Sequence, residues 1–135
     1  MKTSKFKVVI VALFAILFAG FAKEEVDKTL IDHLKDNTWY VSYYLDSGKD
    51  ETSNFSGYSL DFTDEMLINA SKGGTSSSGS WFLTDNSSKI VIVMSNVTNY
   101  LENLSNQWVV IERTNDVLKL KDDSDDGEIL HLTRN

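Results

Sequence analysis

The 135-residue chain contains no cysteine and no proline. Without cysteine there is no disulfide, no thiolate nucleophile and no thiolate-ligated metal, so an exported form must fold without cross-links. Without proline, nothing removes a donor from a strand ladder. Histidine is nearly absent as well: the two present, His33 and His131, lie in separate segments and make no metal set. Basic charge is scarce, with 13 Lys and Arg against 20 Asp and Glu and a net charge of −7. That balance disfavours nucleic acid and anionic membrane surfaces as partners. The longest apolar run, Val8 to Ala22, falls short of the roughly 20 residues a bilayer helix needs. It comes after Lys2, Lys5 and Lys7 and ends with Gly20 and Ala22 at the small-residue positions. Basic, apolar and small segments in that order predict a signal peptide over residues 1–22, cleaved on export to the periplasm or beyond. No stable membrane anchor is expected after cleavage, and loss of three lysines leaves the remainder more acidic still.

Downstream of residue 22 the apolar pattern is first helical and then strand-like. Residues 23–36 carry Val26, Leu30 and Leu34 at four-residue spacing, with Ile31 beside them. Acidic Glu24, Glu25 and Asp27 stand at the start and Lys35 near the end, which suits a helix dipole. This amphipathic helix is too short to hold alone and must dock on something. From residue 37 to 135 the period is two. Eight strand-like runs are read at Trp39–Leu45, Phe55–Phe62, Met66–Ser71, Gly79–Thr84, Lys89–Ser95, Gln107–Arg113, Val117–Lys121 and Glu128–Arg134. The connections alternate long and short, so an up-and-down order puts every long loop at one end. One of them, Lys72–Ser78 (KGGTSSS), reads as a flexible tip. Another, Asn96–Asn106, carries Val97, Leu101 and Leu104 and reads as a short helix over the mouth. Eight antiparallel strands without covering helices avoid open edges by closing. The expectation is therefore an all-β, eight-stranded antiparallel up-and-down barrel. It carries an N-terminal helix at the short-loop end and a short helix between strands 5 and 6.

In such a barrel Trp39, on the first strand, and Arg134, on the last, are neighbours at the short-loop end. A guanidinium stacked on the indole would close that end. Here the chain resembles the lipocalin superfamily, in which a first-strand tryptophan packs against an arginine near the last strand. It further resembles the lipocalin-like domain proteins exported by bacteria, in Asn37-Thr38-Trp39, Phe55–Phe62 (FSGYSLDF), Gly79-Ser80-Trp81 and Leu104–Trp108 (LSNQW). Two departures stand out. Asn37 replaces the glycine of the usual opening, and Phe21 stands where a lipoprotein would carry its lipidated cysteine.

Strand parity turns Tyr43, Tyr58, Phe62, Met66, Trp81, Met94 and Trp108 inward, a lining suited to a small hydrophobic molecule or simply a filled core. Asp122, Ser124, Asp126 and Gly127 match the start of a calcium loop, but Thr133 stands where the bidentate glutamate belongs. An acidic hairpin turn is the better reading. Ser, Asp and His occur without any spacing that implies catalysis, so neither an enzyme nor a cofactor is expected. The expected function is an exported monomeric barrel that binds a small apolar ligand at the mouth formed by the long loops. The alternative is a solid barrel whose acidic loop surface meets a basic protein partner.

Overall fold

The computed structural model describes residues 28–135. The expected leader, 1–22, and the start of the expected helix lie outside them. The described chain opens with helix α1 (Leu30–Lys35), whose N-cap Thr29 accepts a hydrogen bond from the Asp32 backbone N–H. Nine strands come after it: β1 Thr38–Asp46, β2 Lys49–Asp50, β3 Ser59–Phe62, β4 Leu67–Lys72, β5 Thr75–Thr84, β6 Lys89–Met94, β7 Asn106–Arg113, β8 Val117–Asp122 and β9 Ile129–Arg134. Two 3-10 helices, Thr52–Phe55 and Tyr100–Leu104, interrupt the two longest connections.

Eight of the strands form a closed antiparallel barrel, because β1 pairs with β9 as well as with β3. The two-residue β2 is a small addition that pairs with the end of β1. Trp39 sits opposite Arg134 in the closing ladder, as the up-and-down order requires. The expected mouth helix is the 3-10 turn Tyr100–Leu104.

Three expectations are revised. The second strand is short: Phe55 belongs to a 3-10 helix, and pairing with β4 begins only at Ser59. The segment Lys72–Ser78 is not a flexible tip but a tight hairpin. Lys72 pairs with Thr75 around Gly73-Gly74, and the φ of 60° at Gly73 is what a two-residue II′-type turn demands. Its serines suggested a linker by composition alone, yet they are small strand residues in register with β4. Loop elaboration at that end is therefore concentrated in the β1–β3, β6–β7 and β8–β9 connections.

The third revision concerns parity. The ladder between β1 and β9 slips at a β-bulge between Val41 and Tyr43. An extra residue in one strand reverses which side chains face inward beyond it. Tyr44 is therefore the buried tyrosine, 1% exposed, while Tyr43 lies outside with its ring 5.0 Å from that of His131. Met66 also departs from the expected inward set. It occupies the turn before β4 at φ 62° and is about half exposed.

Side chains fill the barrel. Trp39, Trp81 and Trp108 are each 1% exposed or less, packed with Phe62, Ile68, Ile90, Ile92, Leu118, Leu120, Leu130 and Leu132 in one cluster. The two ends are sealed by the same device. At the short-loop end the Trp39 indole N–H donates to the carbonyl of Leu34 in α1 at 3.1 Å. At the other end the Trp108 indole N–H donates to the carbonyl of Leu104, in the 3-10 helix, at 3.0 Å. Each bond satisfies a carbonyl near the end of a short helix that has no continuing turn to accept it. Gly79, inside β5, is buried where β6 crosses close by. A Cβ there would stand 2.7 Å from Cα of Met94.

Candidate functional site

An opening lies in the barrel wall, between β1 and β3. Strand β1 pairs with β3 only at Thr38–Asp61 and Trp39–Leu60. Pairing on that side of β1 resumes at Leu45–Asp50, with β2. Between the two ladders the strands part, and the 3-10 helix Thr52–Phe55 with the turn Ser56-Gly57 lies across the gap. Its attachment is specific. The Tyr44 N–H donates to Thr52 Oγ1 at 2.9 Å, and Thr52 Oγ1 donates to Asp50 Oδ1 at 2.6 Å. That bond, and a second from the Thr52 N–H, hold the Asp50 carboxyl below its usual range. The Phe55 ring meets Tyr44 edge-on at 5.2 Å, and both are buried. They form a floor that separates the opening from the core.

The resulting lateral groove has a volume of about 640 Å³. Tyr40, 40% exposed, and Tyr58, half-buried, supply aromatic surface. Ser42, Thr52, Ser53, Ser56 and Ser59 supply hydroxyls, and Asn135 an amide. Among the described residues no acidic or basic side chain lines it. Some of these groups are fixed by neighbours. Ser42 Oγ donates to the His131 carbonyl at 3.3 Å and accepts from Thr133 Oγ1 at 2.6 Å. Asn135 Nδ2 donates to Thr38 Oγ1 at 3.0 Å and to Ser59 Oγ at 3.2 Å. Lys72 Nζ lies over the Tyr58 ring, 5.3 Å from its centroid.

The expected lining residues divide. Phe62, Trp81, Met94 and Trp108 face the interior, where they are part of the packed core. Phe62 and Trp81 meet edge to face at 5.4 Å. Tyr58 lines the groove, and Tyr43 and Met66 lie outside the barrel. Trp39 and Arg134 are neighbours in register, yet the indole packs against the His33 ring, 5.2 Å away, rather than under the guanidinium. Arg134 lies at the rim, where it ion-pairs with Asp116 and keeps its hydration. Sequence parity missed Tyr40, Ser42 and Ser53. Tyr40 and Ser42 read as an ordinary outer face, and the bulge has no local sequence mark.

The loop end carries the chain's crowded carboxylates. Glu128 is held above the usual carboxylate range by burial and by Asp122, Asp46 and Asp126, against one hydrogen bond from Asn106 Nδ2 at 3.0 Å. The Asp122–Gly127 turn is closed internally: Asp122 accepts from the Ser124 N–H and hydroxyl, and Gly127 takes a φ of 77°. Among the described residues no three His, Asp or Glu side chains gather as a metal site.

No family model and no curated protein matches the chain. Solved structures similar to this chain include the following two. One is a DUF4847 family protein from Bacteroides vulgatus, with a TM-score of 0.58 and 12% identity over 76% of this chain and 94% of that one. The other is a protein from Burkholderia xenovorans, with a TM-score of 0.53 and 16% identity over 89% of this chain and 99% of that one. At such identity the likeness is one of fold.

Proposed function

We propose that the protein is an exported, lipocalin-like binding barrel without catalytic activity. Its small-molecule site is the lateral groove in the barrel wall rather than the barrel interior. The observation that carries this reading is the contrast between a core filled by three buried tryptophans and an open groove of about 640 Å³ beside it. That volume lies within the roughly 300–1,000 Å³ typical of small-ligand sites. The groove is also built by the longest connection, where rigid scaffolds place their recognition residues. The basic-then-apolar leader supports export, and the acidic balance supports a ligand other than nucleic acid. The test is titration with a neutral environment-sensitive apolar dye, for the wild type and for Tyr40→Ala. Saturable binding that weakens in the variant supports the groove. Saturable binding indifferent to Tyr40 overturns it.

A second reading has its own support in the carboxylates of Asp122, Asp46 and Asp126, which add to burial in raising Glu128. That loop end suits a basic protein partner. Capture of such a partner would be lost steeply with added salt, and capture indifferent to salt would contradict it.

A further inference from the structure

The chemistry of the groove narrows its ligand, given the reading of the groove as the binding site. We propose that it takes a neutral saccharide. An ionic ligand would find no acidic or basic side chain to pair with in the lining of the groove among the described residues. A wholly apolar ligand would cover hydroxyls and strand them. The hydroxyls of Tyr40, Ser53, Tyr58 and Ser56 have no side-chain hydrogen-bond partner among the described residues, and burying such groups unpaired is costly. The β1 backbone between Trp39 and Tyr44 likewise has no strand partner on this side among the described residues, so it too offers polar groups to a ligand. What remains is a molecule that is uncharged, rich in hydroxyls and faced with C–H surface for an aromatic ring. A pyranose has all three properties. Its hydroxyls can both donate to and accept from serine and tyrosine oxygens, and its C–H face can lie against Tyr40 or Tyr58. Rigid aromatic surface beside small hydroxyl side chains is also an economical recognition surface, since little side-chain freedom is lost.

An extended peptide is the competing occupant, by strand addition to the free edge of β1. The 3-10 helix already hydrogen-bonds Tyr44 within the free stretch between the Trp39 and Leu45 pairings, which leaves the edge partly occupied.

The experiment is a set of two-dimensional amide spectra of the folded protein. It is titrated separately with neutral trisaccharides of glucose, galactose and N-acetylglucosamine, the matching soluble polysaccharides, a neutral apolar dye and an uncharged extended peptide. The expected result is saturable movement of the amides of Tyr40 and Ser56–Ser59 with at least one saccharide. Tyr40→Ala should weaken that binding about tenfold, the scale of one aromatic contact. Ser53→Ala should weaken it less, and both variants should melt with the wild type. Binding of a trisaccharide marks a free sugar as the ligand, and binding of the polysaccharide alone marks a position within a chain. Dye binding at these amides with no saccharide response overturns the saccharide while keeping the groove. Peptide binding without saccharide binding does the same. Silence of these amides toward every probe overturns the groove as a site altogether.

Discussion

Acidification should loosen the plug helix through His33. This side chain is 3% exposed, on the inner side of α1, and packs edge-on against Trp39. Its Nε2 lies 3.0 Å from the Asn115 carbonyl, so Nε2 carries the proton, and Nδ1 then accepts from Arg113 Nη1 at 3.4 Å. A second proton on Nδ1 would face that guanidinium. Burial is the main reason the His33 pKa falls below 6.5; Arg113, Lys28 and Arg134 add to it, and the Asn115 carbonyl opposes it. Asp36 is the acidic group coupled to this ring from α1's own end, and Asp116 is engaged by Arg134. With its folded pKa depressed, the histidine binds a proton more readily in the unfolded chain. Stability is therefore full above the ordinary histidine range and is lost as pH falls through it. One such group contributes a slope of at most about 1.4 kcal/mol per pH unit, and the loss stops growing below the folded pKa. His131, lowered by burial and by Lys119, acts in the same sense. The assay is urea unfolding at a series of pH values from about 8 to about 5, with His33→Gln beside the wild type. At the alkaline end the variant should lose about 0.5–1.5 kcal/mol with the aromatic contact. The gap between the two proteins should close as pH falls. A gap that stays constant would mean that the fold does not depress His33.

The bulge in β1 predicts that Tyr44→Ala costs about 3–5 kcal/mol by urea unfolding, as for a buried aromatic, whereas Tyr43→Ala stays within about 1 kcal/mol. Equal costs would mean strict alternation. Trp39→Ala should likewise destabilise by about 3–5 kcal/mol, while Arg134→Ala, which breaks an exposed ion pair, should cost no more than about 1 kcal/mol in the same assay. Gly79→Ala should lower stability by about 1–3 kcal/mol or more, since its Cβ meets the β6 backbone rather than a movable side-chain end; a melting point unchanged from wild type would contradict that close approach. With Glu128 raised, the folded state binds a proton more readily than the unfolded chain, so this group's contribution is lost as pH rises through its folded pKa. Glu128→Gln, which keeps an acceptor for Asn106, should therefore raise the neutral-pH melting point.

Barrel closure was legible because it rests on global counts. Eight alternating runs without helices to cover them leave few ways to protect their edges. The burial of Phe62, Trp81 and Trp108 followed from simple parity within stretches that keep their register, Trp108 preceding the shift in β7 between Val110 and Glu112. Parity failed where one residue was added, at the bulge before Tyr43. It failed again where a turn took a residue out of its strand, at Met66. Neither event has a proline or glycine to announce it. The tryptophan–arginine closure was half right. Register places the pair side by side, but an arginine at a rim with Asp116 in reach gains more from the carboxylate and water than from an indole that His33 already covers. The groove was illegible for a related reason: it exists because β1 and β3 stop pairing, and a sequence pattern reports strands rather than the places where they part.

If ligand is met in the wall of a filled barrel and not inside it, the wall and the core must respond differently to binding. That difference can be read in a nitrogen-edited spectrum of the folded protein with and without a bound ligand, comparing the indole N–H signals of Trp81 and Trp108 with the amides of Tyr40 and Ser56–Ser59. The groove amides should move while both interior indoles stay in place. Movement of the Trp81 indole, whose buried Nε1 has no hydrogen-bond partner among the described residues, with the groove amides unmoved would put the ligand in the core and contradict a site in the wall.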